Sequence, residues 1–149
     1  MIMHVLLIHD TRSIGFLTAV VLARVRSRLG DTVVVRGRRE DTRHAQVFWG
    51  RVASEMRLDD IDEIILCCLT FDDVNPERCN AHLKRFQEQL ATPPLIISHR
   101  WPDGYEQSGY HVIVPPFEIV DLYSHVLQPE ERELLRLAAI TCRQADPTM

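Results

Sequence analysis

Lysine is nearly absent from this chain. Of its 17 basic residues only Lys84 is a lysine, and the rest are arginine. Arginine's planar fork suits bidentate contacts to phosphate and carboxylate, so the bias mildly favours anion sites, although an arginine-rich genome produces the same bias. With 21 acidic residues the formal net charge is -4, which excludes the broad basic surface of a general nucleic-acid binder. No apolar run approaches the roughly 20 residues of a membrane helix. No basic segment precedes the first apolar residues, and residues 5–8 are too short for a signal peptide, so a cytoplasmic protein with no membrane partner is expected. Cysteine is sparse. Cys67, Cys68, Cys79 and Cys142 lack zinc-finger spacing and read as small buried hydrophobes in a reducing compartment. There is no internal repeat, low-complexity segment or linker.

What is present suits one domain spanning residues 1–149, with 46% hydrophobic residues to build a core. Residues 3–8 form an apolar strand of the kind found in covered parallel sheets. Residues 13–29 form a helix with Ile14, Leu17, Val21, Val25 and Leu29 as its apolar stripe, stopped by Gly30-Asp31. A β-branched strand over 32–35 empties into the charged loop Arg36-Gly37-Arg38-Arg39-Glu40-Asp41. Asp41 or Thr42 then caps a helix over 43–55. Residues 63–69 are the most apolar strand. Asn75-Pro76 starts a helix to Leu90 with Cys79, Leu83, Phe86 and Leu90 on one face. Strands over 95–97 and 110–114, a short helix over 118–127 and a last helix from Pro129 complete the chain. This alternation predicts an α/β, Rossmann-like fold. Its sheet is mostly parallel, of about five strands, sandwiched by helices, and the fifth strand can be antiparallel.

The organising stretch is His9-Asp10-Thr11-Arg12-Ser13-Ile14-Gly15, between the first strand and first helix. In open α/β sheets such a turn faces the ligand crevice, which places Asp10 and its neighbours at the mouth of a site.

Three strand ends together resemble the N-terminal catalytic domain of the DHH phosphoesterase superfamily. Its first motif is Asp-x-Asp-x-Asp-Gly followed by small helix residues. Here Asp10, Gly15 and Thr18-Ala19 fall in register, while Arg12 and Ile14 replace the second and third acids. The strand-ending Asp of the second motif corresponds to Cys68, with Thr70 after it. Asp-His-His becomes Ser98-His99-Arg100, and the Asp after the last helix corresponds to Asp146. The resemblance spans nearly the whole chain by element order, without the family's second, substrate-binding domain.

The resemblance implies a two-metal hydrolase site holding Mn²⁺ or Mg²⁺. Carried over, the metal ligands are Asp10, His99 and Asp146, with His99 the one candidate catalytic residue. Asp10, Arg12, Gly15, His99 and Arg100 are the candidate ligand- or phosphate-binding residues. Two carboxylates and one His suit one metal rather than two, and two arginines near those positions oppose a divalent cation. The leading expectation is a DHH-like protein with a degenerate centre. It is non-catalytic and binds a nucleotide, a nucleic-acid end or a partner protein, the last including another copy of the chain. One alternative is a remodelled phosphoesterase with one metal, acting on nucleotides or oligonucleotides. Another is an unrelated Rossmann-like regulatory domain that binds a ligand. In the plainest reading Asp10 caps the first helix, His99 is an ordinary hydrogen-bonded histidine and Asp146 is solvated. Arg36, Arg38 and Arg39 read as a solvated loop rather than a phosphate clamp, and Trp101 and Tyr105 as turn packing.

Overall fold

The structure, a computed structural model, describes residues 2–9, 13–67, 69, 71–72, 75–92, 95–99, 110–113 and 117–145. In chain order the elements are β1 (His4–His9), α1 (Ser13–Arg28), β2 (Thr32–Gly37), α2 (Ala45–Glu55) and β3 (Glu63–Cys67). They continue with α3 (Pro76–Glu88), β4 (Leu95–His99), β5 (Tyr110–Ile113), α4 (Phe117–Leu122) and α5 (Pro129–Ala145). The strands lie in the order β2-β1-β3-β4-β5, parallel at every pairing, so the β5 that the sequence allowed to be antiparallel runs with its neighbour.

The chain steps from β1 to β2 in one direction and from β3 to β4 in the other. Because parallel crossovers are right-handed, this reversal puts the connecting helices on opposite faces. Alternate residues of β1 divide accordingly. Val5 and Leu7 pack with Val21, Leu22 and Val25 of α1, Ile119 of α4 and Leu135 of α5. Leu6 and Ile8 pack with Phe48, Trp49 and Val52 of α2 and with Cys79, Leu83 and Phe86 of α3. Each such aliphatic or aromatic side chain, fully buried, contributes about 1.5–3 kcal/mol.

Helix α1 ends as the sequence indicates. Gly30 takes a φ of 98°, its N–H donates to Ser27 O at 3.1 Å and the Asp31 N–H donates to Arg26 O at 3.0 Å. This is the paired closure that satisfies the last carbonyls of a helix. The start of α3 also follows the sequence, with Asn75 Oδ1 accepting from the Glu77 and Arg78 N–H groups.

Two local expectations fail. The expected α1 stripe is buried at Val21 and Val25 but fails at its end, where Leu29 is 51% exposed, and the buried face also takes in Thr18, Ala19, Leu22 and Arg26. The inward arginine has a partner far along the chain. Neither Asp41 nor Thr42 caps α2. Residues Glu40–Thr42 form a 3-10 turn in which Thr42 Oγ1 donates to Arg39 O at 2.6 Å. Asp41 is occupied by Arg51 at 2.5 Å, and α2 starts from His44 with no side-chain cap.

Candidate functional site

The direction reversal at β1 leaves a crevice at the carboxyl ends of β1 and β3, where open parallel sheets bind ligands. His9, the last residue of β1, pairs in register with Cys67, the last residue of β3. Leu66 pairs with Ser98, and His99, the last residue of β4, pairs with Ile113. The three strands therefore end level along one edge of the sheet. With neighbouring strands about 4.8 Å apart, the backbones of His9 and His99 stand about 10 Å from each other.

His9 sits at the centre of what can be seen there. Its ring meets Phe16 edge-on, with centroids 5.6 Å apart and planes at 74°. A side chain at residue 37 would bring its Cβ within 3.3 Å of His9 Cε1, so Gly37 is what lets β2 pass the imidazole. The Arg38 N–H donates to His9 O at 2.8 Å and extends the β1–β2 pairing into the charged loop. Phe16 is half exposed beside this histidine, an apolar surface at the mouth of the crevice.

Of the residues singled out from sequence, Gly15 is buried in the first turn of α1. His99 ends β4, and only its backbone is described. Asp10, Arg12, Arg100 and Asp146 lie outside the described residues, as do Cys68, Thr70, Trp101 and Tyr105. Cys67 and Cys79 are buried, as their reading as small hydrophobes requires. Among the described residues no group of His, Cys, Asp and Glu side chains is placed to hold a metal ion, and no helix is long and apolar enough to cross a membrane.

No family model, curated protein or solved structure matches the chain.

Two features escape the sequence reading. The first lies at the same edge of the sheet, on its β2 side. Arg36 and Arg39 are exposed, as a solvated loop requires, and Arg38 is half-buried. With Arg51 of α2 they rim a cavity of about 170 Å³. The legible signal was an arginine run directly after a strand. The missing half was Arg51, which α2 brings across.

The second lies at the opposite, amino-terminal edge. Arg26 Nη1 and Nη2 donate to Glu63 Oε1 and Oε2 at 3.0 and 2.7 Å, and Arg26 Nε donates to Asp31 Oδ2 at 2.7 Å. Burial works against the charged guanidinium, but the bonds to Glu63 and Asp31 outweigh it and hold its pKa above the ordinary value. Burial likewise opposes the Asp31 carboxylate. The bonds from Arg26 and the Met3 N–H prevail and hold it below its usual range. Burial pushes the neighbouring Tyr123 phenol up, against the pull of Arg26. Nearby, the fully buried Glu131 of α5 is bonded by Arg28 and by the Gln128 N–H, and Arg24 lies 3.5 Å away. These donors overcome the effect of burial and depress its pKa. These contacts join α1 to β3 and α5 at the amino-terminal edge.

Proposed function

We propose that the chain is a Rossmann-like, DHH-like domain whose two-metal centre has decayed. In this reading it binds a nucleotide or nucleic-acid end at the carboxyl edge of its sheet without hydrolysing it. The observation that carries the reading is the level ending of β1, β3 and β4, with His9 opposite Cys67 and Leu66 opposite Ser98. The three sequence motifs of the resemblance begin at those strand ends, and a shared phosphate site requires them to converge.

The donor chemistry supports loss of the dinuclear centre. Hard divalent ions take oxygen ligands, and carboxylate charge sets much of their affinity. Asp10, His99 and Asp146 are the only ligand types retained at the motif positions, while Arg12, Ile14, Cys68, Ser98 and Arg100 supply two cations and no carboxylate. This set does not fit two metals, and no hydrolytic step is assigned. Arg12 and Arg100 instead offer bidentate contacts to a phosphate, with Asp10 and His99 orienting them. A cytoplasmic location belongs to the same reading, supported by the burial of Cys67 and Cys79, which suits small hydrophobes of a reducing compartment.

Calorimetry with adenosine monophosphate, with and without Mn²⁺, tests this function. Saturable binding is expected without metal, weakened at least tenfold in the Arg12→Gln/Arg100→Gln variant. Hydrolysis of an oligonucleotide with Mn²⁺ that disappears in Asp10→Ala would replace this reading with a one-metal phosphoesterase.

A further inference from the structure

Strand β2 closes the sheet on one side, with only β1 as its neighbour. The Thr32 N–H donates to Met3 O and the Arg38 N–H to His9 O, so the even-numbered residues of β2 turn their backbone groups toward β1. Val33 and Val35 turn theirs away from it. Among the described residues no backbone bond engages those outward groups.

Folded proteins guard such an edge with proline, lysine, a bulge or a charge in mid-strand. None of these protects β2. Its sequence is Thr-Val-Val-Val-Arg-Gly, and its register with β1 is unbroken from Thr32 to Gly37. β-Branched side chains suit an extended, half-buried strand. Val33 packs partly on the α1 side of the sheet and Val34 on the α2 side, while Val35 is 37% exposed.

The two ends of this edge differ in charge. At the amino end one cation, Arg26, is shared by two carboxylates, Asp31 and Glu63, which leaves that end negative. At the carboxyl end stands the exposed Arg36. An antiparallel copy of the strand sets each Arg36 beside the negative end of the other. A parallel copy sets like ends together.

We infer that β2 pairs antiparallel with β2 of a second copy, about a two-fold axis at Val34. Backbone direction fixes the register, because only residues whose N–H and C=O point outward can exchange bonds. Val33 therefore meets the partner's Val35. Val34 meets the partner's Val34 as the closely spaced, non-bonded pair, with Cα atoms about 4.5 Å apart. Thr32 faces the partner's Arg36. Moving the axis to Val35 would put the two Arg36 side chains on diagonal positions, which like charges oppose, and moving it to Val33 would shorten the paired length. The contact uses the same patch on both copies, so it closes as a dimer with one continuous sheet. It is independent of the function proposed at the carboxyl edge.

Sedimentation equilibrium of the full chain tests this, and a reversible dimer is expected across the micromolar range. Val35→Pro deletes an outward N–H that β1 does not use, a position where an edge strand tolerates proline. It should weaken the dimer at least tenfold with the circular dichroism spectrum unchanged. Val34→Cys should cross-link to its own copy under a mild oxidant, with the bridge located at residue 34 by mass spectrometry. Val33→Cys should cross-link far less, because it faces the partner's Val35. If Val35→Pro folds poorly, the two cysteine variants decide. Three results would overturn the inference: a monomer at every micromolar concentration, a dimer indifferent to Val35→Pro, or equal cross-linking of the two cysteine variants.

Discussion

Arg26 of α1 holds Glu63, the first residue of β3, through two bonds of 3.0 and 2.7 Å although 37 residues separate them in sequence. Both side chains are buried, at 9% and 4% exposure, so neither can turn to water if the other is lost. Such pairs contribute little net stability compared with apolar residues of similar size, yet breaking one is costly.

Replacing one partner should therefore cost more than replacing both. Arg26→Met leaves Glu63 as a buried, uncompensated carboxylate and is expected to lose about 3–5 kcal/mol. Arg26→Met/Glu63→Leu should recover much of that loss. Urea denaturation measures both variants. A single-variant cost below about 1 kcal/mol, or a double variant worse than the single, would contradict a closed buried pair.

Stability should fall in acid because two carboxylates are stabilised in the fold. Asp31 and Glu131 titrate below their ordinary values of 3.8 and 4.5. Unfolded chains take up these protons first, so the stabilisation is complete above the ordinary values and is lost as pH falls through the lower, folded ones. The urea midpoint should be flat from neutral pH to about 5 and then decline. Glu131→Gln should make the decline shallower. An identical acid slope in that variant would remove Glu131 from the account.

Gly37→Ala should leave the fold nearly unchanged and disturb His9. The added Cβ comes within 3.3 Å of His9 Cε1, a contact that a shift of a few tenths of an ångström relieves. A stability change within about 1 kcal/mol is expected, since alanine also restricts the unfolded chain. The His9 ring proton resonances in an NMR spectrum should shift. A loss above about 2 kcal/mol, or unmoved His9 signals, would count against the close approach of β2 to this ring.

The parts of the fold legible in the sequence were those with a local cause. The apolar run from Ile64 to Cys67 marks a buried strand, Gly30 marks a helix stop, and Asn75-Pro76 marks a helix start whose cap is formed as expected. What escaped depends on partners distant in sequence. Periodicity assigns Val21, Val25 and Leu29 to the core, and of these Leu29 is exposed. The burial of Arg26 against Glu63 had no signal near α1. Asp41 resembles a helix cap until α2 presents Arg51 to it. The same holds for the candidate site. Arg36, Arg38 and Arg39 were visible as a charged run, but their cavity exists only once Phe48 and Val52 pack beneath them.

The position of β1 between β2 and β3 also sets an order of assembly. Joining β1 to β2 closes a short segment, the separation between Met3 and Asp31 being 28 residues, whereas joining it to β3 spans 58 residues between His4 and Asp62. Doubling a loop adds only about 0.6 kcal/mol of closure entropy, so the later step is slower without being prohibitive. Until it occurs, one edge of β1 is unpaired and Arg26 lacks Glu63. The first strand–helix–strand unit is therefore the segment most exposed to pairing with another chain during synthesis, and the arrival of β3 protects it.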